Sequence, residues 1–250
     1  MVQLDGRREK WFVFSKDQTI SRAIFLDGEF DFVKLVRAWS LIPSNRRQKV
    51  LVDVGANLGT ISIPAVKRGF FNNALAIEAN PTFAEALKKN VVLNGLEDRI
   101  LVVNSAVGDK DEQSLSFSVD QSNFGASRVV SAESEKTFRV HSSTLDTLLG
   151  DTSNVGLVFM DIEGFEGKAL KGASSILEDC PPVALEFTPK LIAEFTPRDE
   201  FCALFSAYSC FYSLNDPLRR KYPLSELPKV WGWFLGEEGL EQTDLLFLKI

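Results

Sequence analysis

The chain has 250 residues, of which 45% are hydrophobic and 25% are charged, and this balance is typical of a folded protein with one large buried core. A formal net charge of −6 argues against nucleic acid and anionic membranes as partners. Three cysteines, Cys180, Cys202 and Cys210, show no metal-ligand or redox spacing, and their odd number excludes a complete disulfide framework. Because the first residues lack the apolar core of a signal peptide, we expect a cytoplasmic location.

Residues 1–49 form an N-terminal extension that precedes the regular pattern of the rest. The runs WFVF at 11–14 and AIFL at 23–26 predict a hairpin, and apolar residues spaced along 30–40 predict an amphipathic helix. Two interpretations stay open for this segment. Core packing is the favoured one, and a lid or an acceptor wall is the other.

From residue 50 onward, short β-type runs alternate with helical patterns. This alternation predicts an α/β fold with a mostly parallel sheet and helices on both faces. We expect a single domain over residues 1–250, with its core at 50–250. The seven strand candidates are Val50–Val54, Ala74–Glu78, Ile100–Val107, Gly156–Ile162, Val183–Phe187, Cys210–Leu214 and Asp244–Ile250.

The first of these strands runs into a glycine-spaced loop, VLVDVGANLGT at 50–60, and Glu78 closes the next strand. The glycines allow backbone NH groups to approach a ligand closely, and the Glu78 carboxylate can accept hydrogen bonds from both hydroxyls of a ribose. The loop departs from the G-x-G-x-x-G pattern of dinucleotide sites, and Asp53 and Asn57 suit an ammonium or a sulfonium better than a pyrophosphate. The pattern therefore favours S-adenosylmethionine over NAD.

An acidic segment, FMDIEGFEGKALKG at 159–172, ends the fourth strand candidate. Ligands of doubly wound sheets bind beyond the carboxyl ends of the strands, so we expect Asp161 beside the methionine portion of the cofactor. Glu163 lies on the same side of an extended chain, and Glu186 ends the fifth strand at the same edge. Glu166 opens the next helix, where a carboxylate usually has the structural role of satisfying free NH groups.

The three carboxylates Asp161, Glu163 and Glu186 are the predicted catalytic residues. For an oxygen acceptor we expect them to act as a base or to position the acceptor, with positioning the larger effect. The same oxygens permit Mg²⁺, although the spacing in the sequence assigns no metal ligands. His141, the lone histidine, is a less favoured base.

Several segments occur in an order that matches a known family. They are DVGANLGTIS at 53–62, AIEANPTFAEALKKNVVLNGL at 76–96, NSAVGDKD at 104–111, N-x-G-x-S at Asn123, Gly125 and Ser127, TLDTLL at 144–149, DIEGFEGKALKGA at 161–173 and VALEF at 183–187. Together they resemble the FkbM family of class I S-adenosylmethionine-dependent methyltransferases. One departure is Phe159, which stands where the family often has a lysine.

This resemblance implies a Rossmann-like fold with a seven-stranded, mostly parallel sheet whose last strand is antiparallel. It also implies methyl transfer from S-adenosyl-L-methionine, often to a hydroxyl of a sugar or another small metabolite. By position, it places Asp53, Gly55, Asn57 and Gly59 around the methionine end of the cofactor, Glu78 at the ribose and the turn 104–107 at the adenine. The expected cofactor-binding set is completed by Ala56, Thr60, Ala79, Asn80, Ser105, Ala106 and Asp161.

Other functions remain open at this point. They are an N-methyltransferase of a small molecule, a nicotinamide-dependent dehydrogenase and a noncatalytic protein that binds the cofactor. Methylation of nucleic-acid bases is disfavoured, because DIEG stands where an Asn/Asp-Pro-Pro-aromatic signature would be expected. The expected partner is therefore a small hydroxylated acceptor.

Overall fold

The structure is a computed structural model that describes residues 1–4, 8–47, 49–120, 123–131, 134, 137–150, 153–236 and 241–250. Its strands are β1 (Val2–Leu4), β2 (Trp11–Val13), β3 (Val50–Val54), β4 (Asn73–Glu78), β5 (Ile100–Asn104), β6 (Ala106–Val107), β7 (Ser114–Ser118), β8 (Arg128–Val130), β9 (Thr137–Ser143), β10 (Val155–Met160), β11 (Val183–Phe187), β12 (Cys210–Ser213), β13 (Lys221–Pro223) and β14 (Thr243–Leu248). Its helices are α1 (Ile20–Asp27), α2 (Phe32–Leu41), α3 (Ser62–Lys67), α4 (Pro81–Leu93), α5 (Leu145–Leu149), α6 (Glu166–Lys171), α7 (Ser174–Glu178), α8 (Pro189–Ile192), α9 (Arg198–Leu204) and α10 (Leu227–Gly236). Short 3₁₀ turns cover Ser44–Arg46, Phe124–Ala126 and Leu224–Glu226.

The central sheet contains eight strands within the described residues, in the order β13-β12-β14-β11-β10-β3-β4-β5. The strands from β11 to β5 pair in parallel, whereas β14 runs antiparallel between β11 and β12. The α/β class and the antiparallel last strand are thus confirmed. The expectation of seven strands is wrong, because β13 pairs with β12 and adds an eighth strand at the edge. A three-residue strand that ends in proline is too short to give a readable pattern.

Apolar cores cover both faces of this sheet. Successive residues of β3 alternate between them, with Leu51 in one core and Val52 and Val54 in the other. The first core is completed by α2, α3 and α4, and the second by α6, α9 and α10. Burial on both faces explains the nearly continuous apolar runs of β10 and β11. Among the helices of the described ranges, none is both long and apolar enough to cross a membrane.

The N-terminal extension differs in part from the sequence-based expectation. The run at 11–14 forms a strand, β2, which pairs antiparallel with β1. The run at 23–26, expected to be its partner, belongs to helix α1 instead. Ile20 and Ile24 are both buried, and a helix places residues at this spacing on one face. The amphipathic helix is confirmed as α2.

A second sheet lies beside the carboxyl ends of the central strands, with the strand order β6-β9-β7-β8 in the part of the chain that is described. Two of its strands, β7 and β9, come from the segment between the predicted strands 100–107 and 156–162. The predicted strand 100–107 is divided between the two sheets, and the Ser105 NH at the break donates to the Glu78 carbonyl. Phe117 and Val140 of this insertion pack with Phe165 from the loop before α6.

Candidate active site

A cavity of about 350 Å³ lies at the carboxyl ends of β3, β4, β10 and β11. Its walls also include residues from α1, α2 and the insertion between β6 and β9. The structure therefore brings most of the predicted site residues to one place. Those that line the cavity are Asp53, Gly55, Asn57, Thr60, Glu78, Ala79, Ser105, Ala106, Asp161, Glu163 and Glu186.

The glycine loop after β3 is folded against the protein itself. Gly55 has φ of +84°, and a Cβ atom at this position would fall on the carbonyl oxygen of Asp161. The NH groups of Gly55 and Ala56 both donate to the Ile77 carbonyl at 3.0 Å. These two NH groups do not face a ligand, contrary to the expectation from the sequence. Glycine is required at position 55 because the backbones of β3 and β10 approach each other there.

Three expected cofactor residues, Ala56, Gly59 and Asn80, do not line the cavity. Ala56 is buried in the first core, and Gly59 lies where a Cβ would come within 2.6 Å of Ile63 and Leu87. The Asn80 side chain accepts a hydrogen bond of 2.9 Å from the Thr82 NH and caps α4. These residues shape the wall of the cavity through packing and helix capping.

Glu78 ends β4, and each oxygen of its carboxylate accepts a hydrogen bond from one backbone NH group. One oxygen accepts from the Asn80 NH at 2.8 Å and the other from the Asn57 NH at 2.9 Å. Burial raises the pKa of Glu78 to about 7, even though these NH groups favour the charged form. Each oxygen retains a lone pair, so the carboxylate can still accept hydrogen bonds from a ligand.

Asp53 and Asn57 complete this side of the cavity. Burial raises the pKa of Asp53 to about 7, against the opposing effect of the Ser62 NH, which donates to it at 3.0 Å. Asn57 has φ of +48°, and its side-chain oxygen is buried with no hydrogen-bond partner among the described residues. This half of the cavity, which we call the β3–β4 half, therefore presents hydrogen-bond acceptors.

The opposite half of the cavity, the β10–β11 half, contains Asp161, Glu163 and Glu186. One oxygen of each carboxylate lies within 4.8 Å of the others. Burial, followed by the charge of Glu163, raises the pKa of Asp161 well above its usual value. Burial also raises the pKa of Glu186 to about 10, and the neighbouring carboxylates add to this effect. The Glu186 Oε2 atom is buried and has no partner among the described residues.

Sequence reasoning missed Lys34, the one cationic side chain that lines the cavity within the described residues. Its Nζ atom, on α2, lies 2.8 Å from Asp31 and 3.1 Å from Asp244. Burial opposes its charge, but Asp244 and Asp31 outweigh that effect and raise the pKa of Lys34. Asp244 on β14 stands directly opposite Glu186 on β11. The i,i+3 spacing of Asp31 and Lys34 could be recognised in the sequence, whereas the contact between Lys34 and Asp244 depends on the fold.

The N-x-G-x-S motif also lies at the cavity, with Asn123, Gly125 and Ser127 all in its wall. The Asn123 side chain accepts from the Gly125 NH at 3.1 Å, which closes a tight turn. The Ser127 hydroxyl is buried with no partner in the described part of the chain. The motif was visible in the sequence, but its position facing the strand ends was not.

Two further candidates lie outside the cavity. The Glu166 carboxylate accepts from the NH groups of Ile162 and Gly164 at 3.0 and 3.3 Å, in agreement with a structural role at the start of α6. His141 is exposed on β9 and does not line the cavity, which argues against a role as base.

The fold and the cavity together define an α/β protein with its cavity at the carboxyl ends of a mostly parallel sheet, the edge where such sheets bind ligands. The sequence matches the family described as the Methyltransferase FkbM domain over residues 53–208. The chain belongs to this family, whose model covers more than half of its length.

Solved structures with a similar fold include three methyltransferases. Methyltransferase FkbM from Methylobacillus flagellatus KT is 18% identical with a TM-score of 0.48, and the match covers 80% of this chain and 43% of that one. The B. subtilis M1A22 tRNA methyltransferase is 13% identical with a TM-score of 0.47, covering 86% of this chain and 64% of that one. Precorrin-6y C5,15-methyltransferase from Geobacter metallireducens GS-15 is 12% identical with a TM-score of 0.47, covering 96% and 94%. No curated protein matches the sequence.

Proposed function

We propose that the chain transfers a methyl group from S-adenosyl-L-methionine to a hydroxyl of a sugar or another small metabolite. The observation that carries this proposal is that one cavity joins the β3–β4 half, with Glu78 and Asn57, to the β10–β11 half, with its three carboxylates. A cofactor and an acceptor can therefore share a single cavity. Family membership supports methyl transfer over the nicotinamide-dependent dehydrogenase.

The residues of the β3–β4 half fit this cofactor. Glu78 offers its remaining lone pairs to the ribose hydroxyls, and the unpartnered oxygen of Asn57 is a ready acceptor for an ammonium group. Asp53 adds a carboxylate that favours a cationic ligand. When bound, S-adenosylmethionine supplies an electrophilic methyl group on a sulfonium.

The β10–β11 half orients the acceptor and takes its proton. The acceptor oxygen forms a bond to the methyl carbon while the carbon–sulfur bond breaks, its electron pair stays on sulfur, and the hydroxyl proton passes to a carboxylate. Burial raises the pKa of Glu163, but Arg128 and Lys34 oppose this effect, which makes Glu163 the favoured base. As long as no cation is bound, Glu186, whose pKa burial raises to about 10, is suited to donate a hydrogen bond to the acceptor. Orientation is worth roughly 7–11 kcal/mol in such reactions, and so we expect positioning to dominate.

Calorimetric titration tests the cofactor, and mass spectrometry tests the reaction. We expect S-adenosylhomocysteine to bind saturably and NADH to give no binding heat. Incubation with S-adenosylmethionine and a panel of hydroxylated metabolites should add one methyl group to an acceptor oxygen. If S-adenosylhomocysteine produces no binding heat, the proposal is wrong. If the methyl group is found on a nitrogen, the acceptor is an amine and the proposed hydroxyl acceptor is wrong.

A further inference from the structure

The spacing of the carboxylates in the β10–β11 half suits a single ion. Because the three oxygens of Asp161, Glu163 and Glu186 lie within 4.8 Å of one another, some point lies within 4.8/√3, or about 2.8 Å, of all three. Ca²⁺ binds oxygen at about 2.3–2.6 Å and Mg²⁺ at about 2.0–2.1 Å. Small side-chain rotations would therefore bring all three oxygens to coordination distance.

These carboxylates also have no cation of their own. Lys34 is held by Asp31 and Asp244, and Arg128 forms its ion pair with Glu194 at 3.0 Å. In the described part of the chain, no ion pair joins a lysine or arginine to Asp161, Glu163 or Glu186. Within the described residues, Lys34 and Arg128 therefore act on the cluster only from a distance and form no direct ion pair with it.

Glu186 provides a separate indication of a ligand. Its residue is only 5% exposed, it lines the cavity, and its Oε2 atom has no hydrogen-bond partner among the described residues. A buried carboxylate oxygen without a partner is costly, and such groups are usually paired or coordinate a metal. An ion bound by the Glu186 carboxylate would give this side chain the partner that it lacks.

We propose that Asp161, Glu163 and Glu186 bind one hard divalent cation at the acceptor end of the cavity. A divalent charge offsets three clustered carboxylates more completely than a single ammonium group would. Each carboxylate needs only one oxygen for the ion and keeps the second for the acceptor. The role of the ion rests on the proposed function: it binds the acceptor hydroxyl and makes that hydroxyl more acidic.

The binding itself can be measured without turnover. Chelator-treated protein is titrated calorimetrically with Mn²⁺, Mg²⁺ and Ca²⁺ in two buffers of different ionisation heat. We expect one saturable site with proton release, because the carboxyls hold protons until the ion displaces them. Glu186→Gln should weaken binding by about tenfold or more, since it removes a ligand charge.

Glu166→Gln is the matched control, since Glu166 is a buried neighbouring carboxyl that does not line the cavity. Its amide oxygen can still accept from Ile162 and Gly164, so metal binding should stay within about threefold of the unmodified protein. Absence of a saturable metal site overturns the proposal. An equal loss of metal affinity in Glu186→Gln and Glu166→Gln overturns it too. Saturable binding of an amine-bearing metabolite in place of any metal would overturn it as well.

The same preparation is titrated with S-adenosylhomocysteine. Binding of this nucleoside without binding of a metal contradicts the ion site alone. Loss of nucleoside binding contradicts the proposed function, whatever the metal does.

Discussion

The two halves of the cavity differ in how their carboxylates are held. In the β3–β4 half, Glu78 and Asp53 accept hydrogen bonds from backbone NH groups of the adjoining loops. In the β10–β11 half, the Glu186 oxygen is unpartnered and Asp161 and Glu163 repel each other. The first half is organised before any ligand arrives, whereas the second brings together carboxyl groups whose mutual repulsion must be relieved by protons or by a ligand.

This difference follows from the local sequence. A strand followed by a tight loop and a helix start supplies NH groups to nearby carboxylates, as the loop after β3 does. The ends of β10 and β11 share the cavity with Asp31 and Lys34, and Lys34 supplies the one positive charge of the cavity lining in the described residues. Each of the following experiments tests one side of this comparison.

The largest effect is expected for Gly55→Ala, in the β3–β4 half. The added Cβ would overlap the Asp161 carbonyl in a residue with φ of +84°, and we expect a loss of about 4 kcal/mol or more in the free energy of unfolding. Gly95→Ala is the control, because Gly95 also has positive φ but has no atom within 4 Å of the added Cβ. That variant should lose only about 1–2 kcal/mol in chemical denaturation. Equal losses would show that the backbone approach is unimportant.

Removing the charge of Lys34 tests the β10–β11 half. Lys34→Met leaves Asp244 buried and unpaired, and we expect a loss of about 3 kcal/mol at pH 8. The loss should shrink as the pH falls, because the raised pKa of Asp244 lets it take up a proton. Lys89→Met breaks an exposed pair with Glu85 and should change stability by less than about 0.5 kcal/mol. Denaturation curves at several pH values measure both variants.

Glu78→Gln tests the organised carboxylate. The amide replaces one acceptor oxygen with a donor that faces a backbone NH, so we expect S-adenosylhomocysteine to bind about 10- to 100-fold more weakly. Glu85→Gln, on the exposed face of α4, should leave the dissociation constant unchanged. Unaltered binding by Glu78→Gln would remove this residue from the cofactor site.

Glu186→Gln should increase stability in the absence of metal. Because burial raises the pKa of Glu186 from 4.5 to about 10, its folded form holds a proton that the unfolded chain releases, and the wild-type protein loses stability as the pH rises above 4.5. We expect the variant to gain about 1–2 kcal/mol at pH 8 and nearly nothing at pH 4.5. Denaturation with a chelator present checks this, and a gain that does not change with pH would contradict the assigned cause.

The smallest effect is expected for His141→Gln. His141 is exposed and lies outside the cavity, so stability should change by less than about 0.5 kcal/mol and methyl transfer should be unaffected. A large loss of turnover with unchanged cofactor binding would restore His141 as a candidate base.

Much of the central sheet could be predicted because its signals are local. β3 and β11 begin and end where the apolar runs indicated, and Glu78 and Asp161 lie at the strand ends expected of them. The apolar pattern gave the wrong prediction at 23–26, where a strand was expected and helix α1 is present. A short apolar run fits either structure, and tertiary packing decides between them.

The acceptor side could be predicted only in part. The carboxylates at 161, 163 and 186 were visible as strand-end residues, and the structure brings them together. Lys34 and Asp244 are separated by 210 positions, and neither belongs to a local motif. Their pairing is set by how α2 and β14 pack around β11, which no short stretch of sequence encodes.

The antiparallel strand β14 has a practical consequence. It lies outside residues 53–208 yet occupies an interior place in the sheet, between β11 and β12. A fragment trimmed to those boundaries would lose the hydrogen bonds on one side of β11, along with Asp244 and Lys34. Shortened or chimeric versions of this protein should therefore keep the residues before 53 and after 208, because the family segment alone lacks the strand that pairs with one side of β11.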